Sequence, residues 1–178
     1  MTSNMSWGAR VEPEFRDAVF GICKAFDWTD EHAGWLMACM AFESARTFSP
    51  SIRNAAGSGA VGLIQFMPST AKALGTRTEA LAQMTPVEQL GYVEKYFKPY
   101  AQRIHSLSDM YMAILLPKYV GEPDDSVLFT EGTVAYRQNS GLDQDSDGNI
   151  TKGEVSELVR RVYEKGLLDG FVYTYEQD

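Results

Sequence analysis

The sequence has few cysteines and few basic residues, and it lacks any long apolar run. Its two cysteines, Cys23 and Cys39, fall at apolar helical positions, so we expect two buried thiols, with a disulfide as the alternative. Lysine and arginine number 16 against 24 acidic residues, and the net charge of -8 argues against nucleic acid as a partner. No stretch of about 18 apolar residues occurs, so the sequence predicts no transmembrane segment.

Length and composition predict one globular domain. The chain has 178 residues, of which 44% are hydrophobic, and this is enough to bury a core. We expect a flexible N-terminal arm over residues 1–12 and a single, monomeric domain over residues 13–178. The first residues lack the basic start and apolar centre of a signal peptide, so we expect synthesis in the cytoplasm without export by that route.

Helix start and stop signals predict a mainly α fold. Pro13 suits the first turn of a helix, and a second helix is expected from Asp30 to about Arg46. The capping box Thr85–Glu88 opens another helix. A small β element is expected within residues 47–66 or 118–130, where no helical periodicity is present.

Glu43 is a carboxylate in an apolar position. It follows Leu36, Cys39 and Met40 at helical spacing and therefore lies on the same stripe as these residues. Burial there would raise its pKa and keep it protonated near neutral pH, which suits a general acid. The alternative is that Glu43 ends the helix and turns into solvent.

A glycine-rich run follows Glu43 by about twenty residues. It reads from Gly57 to Gly62, continues through Gln65 to Pro68, and combines close backbone approach with one amide side chain. Together with the Glu43-Ser44 pair, the segment Gly62–Ala71 resembles the signature of the lytic transglycosylases with the goose-type lysozyme fold. Ile64 stands where that family usually has methionine.

The resemblance implies a lysozyme-like α+β fold, mainly helical, and an enzyme that degrades peptidoglycan. In that family a single acid, here Glu43, protonates the glycosidic oxygen between N-acetylmuramic acid and N-acetylglucosamine. The same residue then takes the proton of the muramyl 6-hydroxyl, which gives a 1,6-anhydro product without water. Ser44 would help to orient Glu43, and the sugar-binding residues implied or suggested are Ser44, Gly62, Leu63, Ile64, Gln65, Tyr119, Tyr136 and Asn139.

The tyrosines in that set come from weaker patterns. Tyr136 and Asn139 resemble the family's Ala-Tyr-Asn motif, from which this chain departs because Arg137 and Gln138 intervene. Tyr119 is chosen from its place in the irregular segment after Pro117. An ordinary core role is the alternative for Tyr136.

The segment Asp143–Glu154 has the spacing of an EF-hand calcium loop. Oxygen-bearing residues occupy alternate positions, glycine stands sixth and glutamate twelfth, as a hard cation with about seven oxygen ligands requires. The ligands predicted for a structural Ca²⁺ are Asp143, Asp145, Asp147, Asn149 through its carbonyl, Thr151 and Glu154. The alternative is an acidic turn without metal; no organic cofactor is expected.

Only one such loop occurs, which argues against a calcium sensor, because sensors pair two loops. We expect the ion to stabilise the structure, and hypothesise that it fixes a cleft wall carrying Tyr136, seven residues before the loop.

Other functions stay open. No acid is placed to activate water, so a hydrolytic goose-type muramidase is the second candidate chemistry. A non-catalytic module of a phage tail or secretion machine is an alternative from another class. A wall-degrading signature without a signal peptide suggests a bacteriophage enzyme, either an endolysin released by a holin or a virion-associated protein. The acidic charge favours the virion-associated or machine-bound role.

Overall fold

The computed structural model describes residues 1–177, so the last residue of the predicted domain, Asp178, lies outside the described residues. Within residues 1–177 there are eight α-helices: α1 Pro13–Ala25, α2 Asp30–Glu43, α3 Pro68–Ala73, α4 Thr78–Ala82, α5 Pro86–Phe97, α6 Leu107–Leu115, α7 Val134–Gln138 and α8 Lys152–Lys165. The same residues form four short strands: β1 Thr2–Met5, β2 Val127–Thr130, β3 Asn149–Thr151 and β4 Tyr173–Glu176. The mainly α fold expected from the sequence is therefore confirmed; the short helices α4 and α7 were not predicted.

Helix α2 is the central element. Thr29 and His32 form a capping box at its start, where the Thr29 amide donates to His32 Nδ1 at 3.2 Å. Most of its residues are buried, and it packs against α1, α6, α8 and β1. It ends at Glu43, three residues earlier than predicted, because Ala45 and Arg46 adopt the left-handed conformation. Glu43 thus stands where the central helix reaches the edge of the core.

The N-terminal segment is folded, so the prediction of a flexible arm over residues 1–12 was wrong. Strand β1 pairs antiparallel with β4, with Thr2 opposite Glu176. Trp7 is 3% exposed, and its indole Nε1 donates to the carbonyl of Val162 at 2.9 Å. The sequence concealed this arrangement because the partner strand lies about 170 residues away along the chain.

The remaining β structure surrounds the two loops identified from the sequence. β2 pairs antiparallel with β3, which runs through the end of the acidic loop. Isolated bridges join Arg53 to Val61 and Val61 to Phe66 within the glycine-rich run. Cys23 and Cys39 are both buried and free. Among the described residues, none of the helices combines the length and apolar character that crossing a membrane requires.

Candidate active site

Glu43 is the last residue of α2 and one side of it reaches solvent. Its side chain is half-buried, whereas Cys39, one turn earlier on the same stripe, has no exposed surface. Burial raises the pKa of Glu43 from 4.5 to about 7, while a hydrogen bond from the Tyr111 hydroxyl acts in the opposite direction. A carboxyl group with this pKa is substantially protonated near neutral pH, as a general acid must be.

Two tyrosines that the sequence analysis did not identify lie close to Glu43. Tyr111 of α6 is buried, and its own pKa is raised well above the usual range by burial and by the Glu43 carboxylate. The ring of Tyr111 meets Phe42 edge-on at 5.3 Å. The Glu43 carboxylate also helps to raise the pKa of Tyr96 of α5. The Tyr96 hydroxyl donates to the carbonyl of Ala113 at 2.5 Å. The sequence carried one indication of the role of Tyr111: it lies in an apolar helix, where a buried tyrosine hydroxyl requires a polar partner.

The chain turns sharply after Glu43. Ala45, Arg46 and Phe48 have φ values of 52°, 68° and 51°, a conformation that residues other than glycine rarely adopt. Such strain clusters at functional sites and persists only where surrounding contacts hold it. Ser44 supplies one of these contacts, since its hydroxyl accepts a hydrogen bond from the Phe48 amide at 2.9 Å.

Ser44 therefore supports the turn, and its predicted contact with sugar stays a prediction. It has no exposed surface, and its carbonyl accepts a hydrogen bond from the Thr47 hydroxyl at 2.7 Å. Its predicted role in orienting Glu43 remains compatible with this position at the helix end.

The glycine-rich run is anchored by a buried amide, Gln89 of α5. Its side chain accepts a hydrogen bond from the Leu63 amide at 2.8 Å and donates to the carbonyls of Pro50 and Leu81. Gly62 has φ 86°, and a Cβ at this position would overlap the Gln89 amide. Glycine is therefore required both for the backbone conformation and for the lack of space. The Gly62 amide donates to the Ile52 carbonyl. The amides of Gly62 and Leu63, predicted to bind sugar, are thus engaged inside the protein.

Ile64 and Gln65 each have a polar atom that the surrounding residues leave without a hydrogen bond. The Ile64 amide has no hydrogen-bond partner among residues 1–177. Gln65 adopts φ 56°, and its Nε2 donates to the carbonyls of Ile52 and Gly62, which leaves its Oε1 without a partner in the same part of the chain. Both residues line a narrow depression of about 40 Å³ together with Phe66, Met67, Thr70, Tyr96 and Ile114. Glu43 does not line this depression, but its carboxylate contributes to the raised pKa of Tyr96, which does, so the acid and the depression lie in the same region of the protein.

The other predicted sugar-binding residues make contacts elsewhere. Tyr136 donates its hydroxyl to Asp143 Oδ2 at 2.6 Å, and Asn139 donates its amide to the Ala135 carbonyl. The Tyr119 hydroxyl donates to the Val127 carbonyl. Tyr136 and Asn139 lie on and just after α7 beside the acidic loop, and no charge interaction links Tyr136 to Glu43 within residues 1–177. Their assignment to the saccharide cleft, which was made from local spacing alone, stays a prediction.

The acidic loop brings four carboxylates together. One oxygen from each of Asp143, Asp145, Asp147 and Glu154 lies within 4.8 Å of the others. Gly148, at φ 84°, makes the tight turn and donates its amide to Asp143 Oδ2 at 3.0 Å. Asp143 Oδ1 is buried and has no hydrogen-bond partner among the described residues. A carboxylate oxygen left orphaned among like charges is costly unless a cation neutralises it.

The end of the loop also starts α8. Thr151 caps this helix, its hydroxyl accepting from the Glu154 amide at 3.2 Å, and Glu154 accepts from the Thr151 amide in return. Asn149 lies in β3, where it pairs with Thr130. The helix that precedes the loop, α7, has only five residues, so the long entering helix of a sensor is absent from residues 1–177.

A buried ion pair connects this loop to the helix that carries Tyr111. Lys152, the tenth loop residue, is 2% exposed, and its Nζ lies 2.8 Å from Asp109 Oδ1 on α6. The same ammonium donates to the carbonyls of Tyr119 and Glu122 at 3.1 and 2.7 Å. Asp109 lies two residues before Tyr111, so the loop and the Glu43 site share α6 as a common support.

Comparison with known proteins identifies one segment of the chain. Residues 29–113 match a family model described as the transglycosylase SLT domain. The match supports the predicted lysozyme-like fold; it includes Glu43, Ser44, the run from Gly62 to Gln65, and Tyr111, and it ends before the acidic loop. No curated protein and no solved structure matches the chain.

Proposed function

We propose that the chain acts on peptidoglycan and cleaves the β-1,4 bond between N-acetylmuramic acid and N-acetylglucosamine with formation of a 1,6-anhydro product. The match of residues 29–113 to the transglycosylase SLT domain supports this proposal. The raised pKa of Glu43 carries this proposal. A half-buried acid with a pKa of about 7, at the end of the central helix and beside a depression, is suited to donate a proton to a glycosidic oxygen.

One residue performs both proton transfers in this reaction. Glu43 gives its proton to the glycosidic oxygen while the bond from that oxygen to the muramyl anomeric carbon breaks. The muramyl 6-hydroxyl oxygen then bonds to the anomeric carbon and returns its proton to the Glu43 carboxylate. The acid is restored, no water is consumed, and the muramyl product carries an internal 1,6-anhydro bond.

The surroundings of Glu43 favour a single-acid reaction over two-carboxylate hydrolysis. Burial and a hydrogen bond from Tyr111 determine the pKa of Glu43, and no second carboxylate within residues 1–177 contributes to it. A hydrolase that activates water normally holds a second carboxylate across the bond that is cleaved. We assign Tyr111 the role of holding the Glu43 carboxylate in place, and Ile64 and Gln65 the role of contacting sugar.

Product analysis tests the reaction. Purified peptidoglycan digested by the full chain is expected to yield anhydro-muramyl products, detected by mass spectrometry as muropeptides one water lighter than hydrolysis products. Reducing muramyl ends would instead identify the muramidase alternative. No products in the presence of Ca²⁺ would favour the non-catalytic binding module.

We further propose that the loop Asp143–Glu154 holds a structural Ca²⁺. The donor set fits a hard cation, because it combines four clustered carboxylates with the orphaned oxygen of Asp143. The ligands would be Asp143, Asp145, Asp147 and Glu154, with the Asn149 carbonyl and, through water, Thr151. The ion supplies positive charge that relieves the mutual repulsion of the carboxylates. Since Tyr136 donates its hydroxyl to Asp143, we assign it a role in supporting this loop.

Calcium is expected to raise the melting temperature. At a concentration one hundred times the dissociation constant, an ion that binds only the folded state adds about 2.7 kcal/mol to the free energy of unfolding. For a chain of this size this corresponds to roughly 5–10 °C, measured by scanning calorimetry in Ca²⁺ and in EDTA. Asp145→Asn should remove most of the shift, while Asp169→Asn, at an exposed position outside the loop, should keep it. Equal melting temperatures in Ca²⁺ and EDTA would contradict the site.

A further inference from the structure

Three basic side chains line one surface depression in this acidic protein. The depression has a volume of about 410 Å³, and its lining includes Arg53, Lys72 and Arg77, with Glu79 as the single acidic member within the described residues. We call it the cationic depression. The chain as a whole carries a net charge of -8, so this local excess of positive charge is opposite in sign to the net charge of the protein.

The three cations are not used by the fold. Within residues 1–177, none of them forms an ion pair, a side-chain hydrogen bond or a cation–π contact, and Glu79 lies beyond ion-pair distance. Other basic residues are engaged: Lys152 is paired with Asp109, and Arg16 packs over an aromatic ring. The lining therefore combines three exposed cations with one carboxylate, and this excess of positive charge favours binding of an anion.

The backbone that carries the cations is held in place. Arg53 bridges to Val61, which is fully buried, and Gly59 packs against Pro68 at the start of α3. Arg77 precedes Thr78, which is 5% exposed. The depression is therefore a feature of the folded protein and not a chance grouping on a free loop.

Helix α3 separates the cationic depression from the narrow depression beside Glu43. Pro68 and Lys72 share one face of α3 and line the cationic depression, whereas Met67 and Thr70 share another face and line the narrow one. An α-helix with its side chains is about 10–12 Å across. An extended peptide covers that distance with three or four residues, at about 3.3 Å per residue.

We propose that the cationic depression binds the carboxylates of the peptide attached to the muramyl sugar. This inference rests on the proposed function, because it takes the glycan strand to run over the protein surface at the narrow depression. Muramyl residues carry a short peptide with free carboxylates, and a peptide that starts at the sugar would cross α3 and end among Arg53, Lys72 and Arg77. Arginine recognises carboxylates through paired N–H donors, which makes it suited to this task.

Binding measurements on two kinds of strand test the inference. The full chain carrying Glu43→Gln, which leaves strands uncleaved, is titrated by calorimetry with soluble glycan strands that retain their peptides and with strands from which an amidase has removed them. Peptide-bearing strands are expected to bind about tenfold more tightly, because several partly exposed ion pairs together contribute about that factor. The difference should shrink as salt is raised.

Matched variants locate the effect. The triple variant Arg53→Gln/Lys72→Gln/Arg77→Gln should lose the tenfold difference. The control Lys24→Gln/Lys98→Gln/Arg137→Gln, which changes net charge equally at three basic residues outside both depressions, should keep it. Equal affinity for the two strands, or a preference that survives the first triple variant, would overturn the inference. The inference would also be overturned if inorganic phosphate bound through the three cations while removal of the peptides left the affinity for the strands unchanged.

Failure of the proposed function would look different. Wild-type protein that cleaves neither kind of strand refutes the transglycosylase, while the calorimetric comparison still decides whether the cationic depression recognises peptide carboxylates.

Discussion

Replacing Glu43 with glutamine is expected to lower the rate of glycan cleavage by about a thousandfold. Glutamine retains the shape of the side chain and can still accept the hydrogen bond from Tyr111, but it has no proton to transfer. Because Glu43 is proposed to act first as acid and then as base, both steps lose their catalyst. The measurement is the initial rate of release of soluble muropeptides from purified peptidoglycan.

The pH dependence of the wild-type rate provides a second readout of the same residue. The acid must be protonated in the free enzyme, so kcat/KM should fall as the pH rises through the Glu43 pKa of about 7. The residual kcat/KM of the Glu43→Gln variant should not show this fall with rising pH.

At high pH, Glu43→Gln should raise stability although it lowers activity. The folded-state pKa of Glu43 lies above the unfolded value of 4.5, so its protonated form favours the folded state at low pH. That contribution is lost as the pH rises from about 4.5 through 7, at a cost of up to about 3 kcal/mol. Glutamine does not titrate, so the variant should melt at or above the wild-type temperature at pH 8. The advantage should diminish toward pH 5.

A matched substitution on the same helix separates the acid from general effects of lost charge. Glu31 lies exposed in the first turn of α2, and Glu31→Gln should leave the rate of cleavage within about twofold of wild type. If Glu43→Gln retained more than a tenth of the wild-type rate, another group would have to be the acid.

The position of Glu43 was predictable because it depends on local periodicity. Leu36, Cys39, Met40 and Glu43 share one face of a helix wherever that helix lies, and a carboxylate on such a face must be desolvated. The helix starts at Pro13 and Pro86 were also predictable, since capping signals act within a few residues.

Contacts between distant segments could not be read in this way. Tyr111 meets Glu43 only because α6 packs on α2, and Gln89 reaches the glycine-rich run from α5. The local motif around Tyr136 suggested a cleft residue and gave no sign of the hydrogen bond that its hydroxyl donates to Asp143. Tertiary packing therefore decided each of these positions.

Apart from Glu43, Lys152 is the residue whose substitution is expected to have the largest effect, a loss of folding stability. Its ammonium and the Asp109 carboxylate are both removed from water, so each depends on the other for compensation. Hydrogen bonds from Lys152 and Gly121 hold the pKa of Asp109 below its usual range even though burial acts to raise it. The pair also joins the first turn of α8 to α6, which carries Tyr111 toward Glu43.

Lys152→Met should lower the free energy of unfolding by about 3–5 kcal/mol, because it leaves Asp109 buried without its counter-charge. This corresponds to a fall in melting temperature of roughly 6–20 °C, measured by calorimetry in Ca²⁺. Arg160→Met is the matched control, since it breaks an exposed ion pair with Glu157 on the same helix and should cost less than about 1 kcal/mol.

Adding Asp109→Asn to Lys152→Met distinguishes an uncompensated charge from lost packing. Asparagine cannot ionise, and its amide oxygen can still accept the hydrogen bond from the Gly121 amide that Asp109 Oδ1 now accepts at 2.8 Å. The double variant should therefore be more stable than Lys152→Met alone, although the carbonyls of Tyr119 and Glu122 still lose their donor. If both variants were equally destabilised, packing of the lysine side chain, and not the stranded carboxylate, would account for the loss. If Lys152→Met were no worse than Arg160→Met, the pair would not hold α8 to α6.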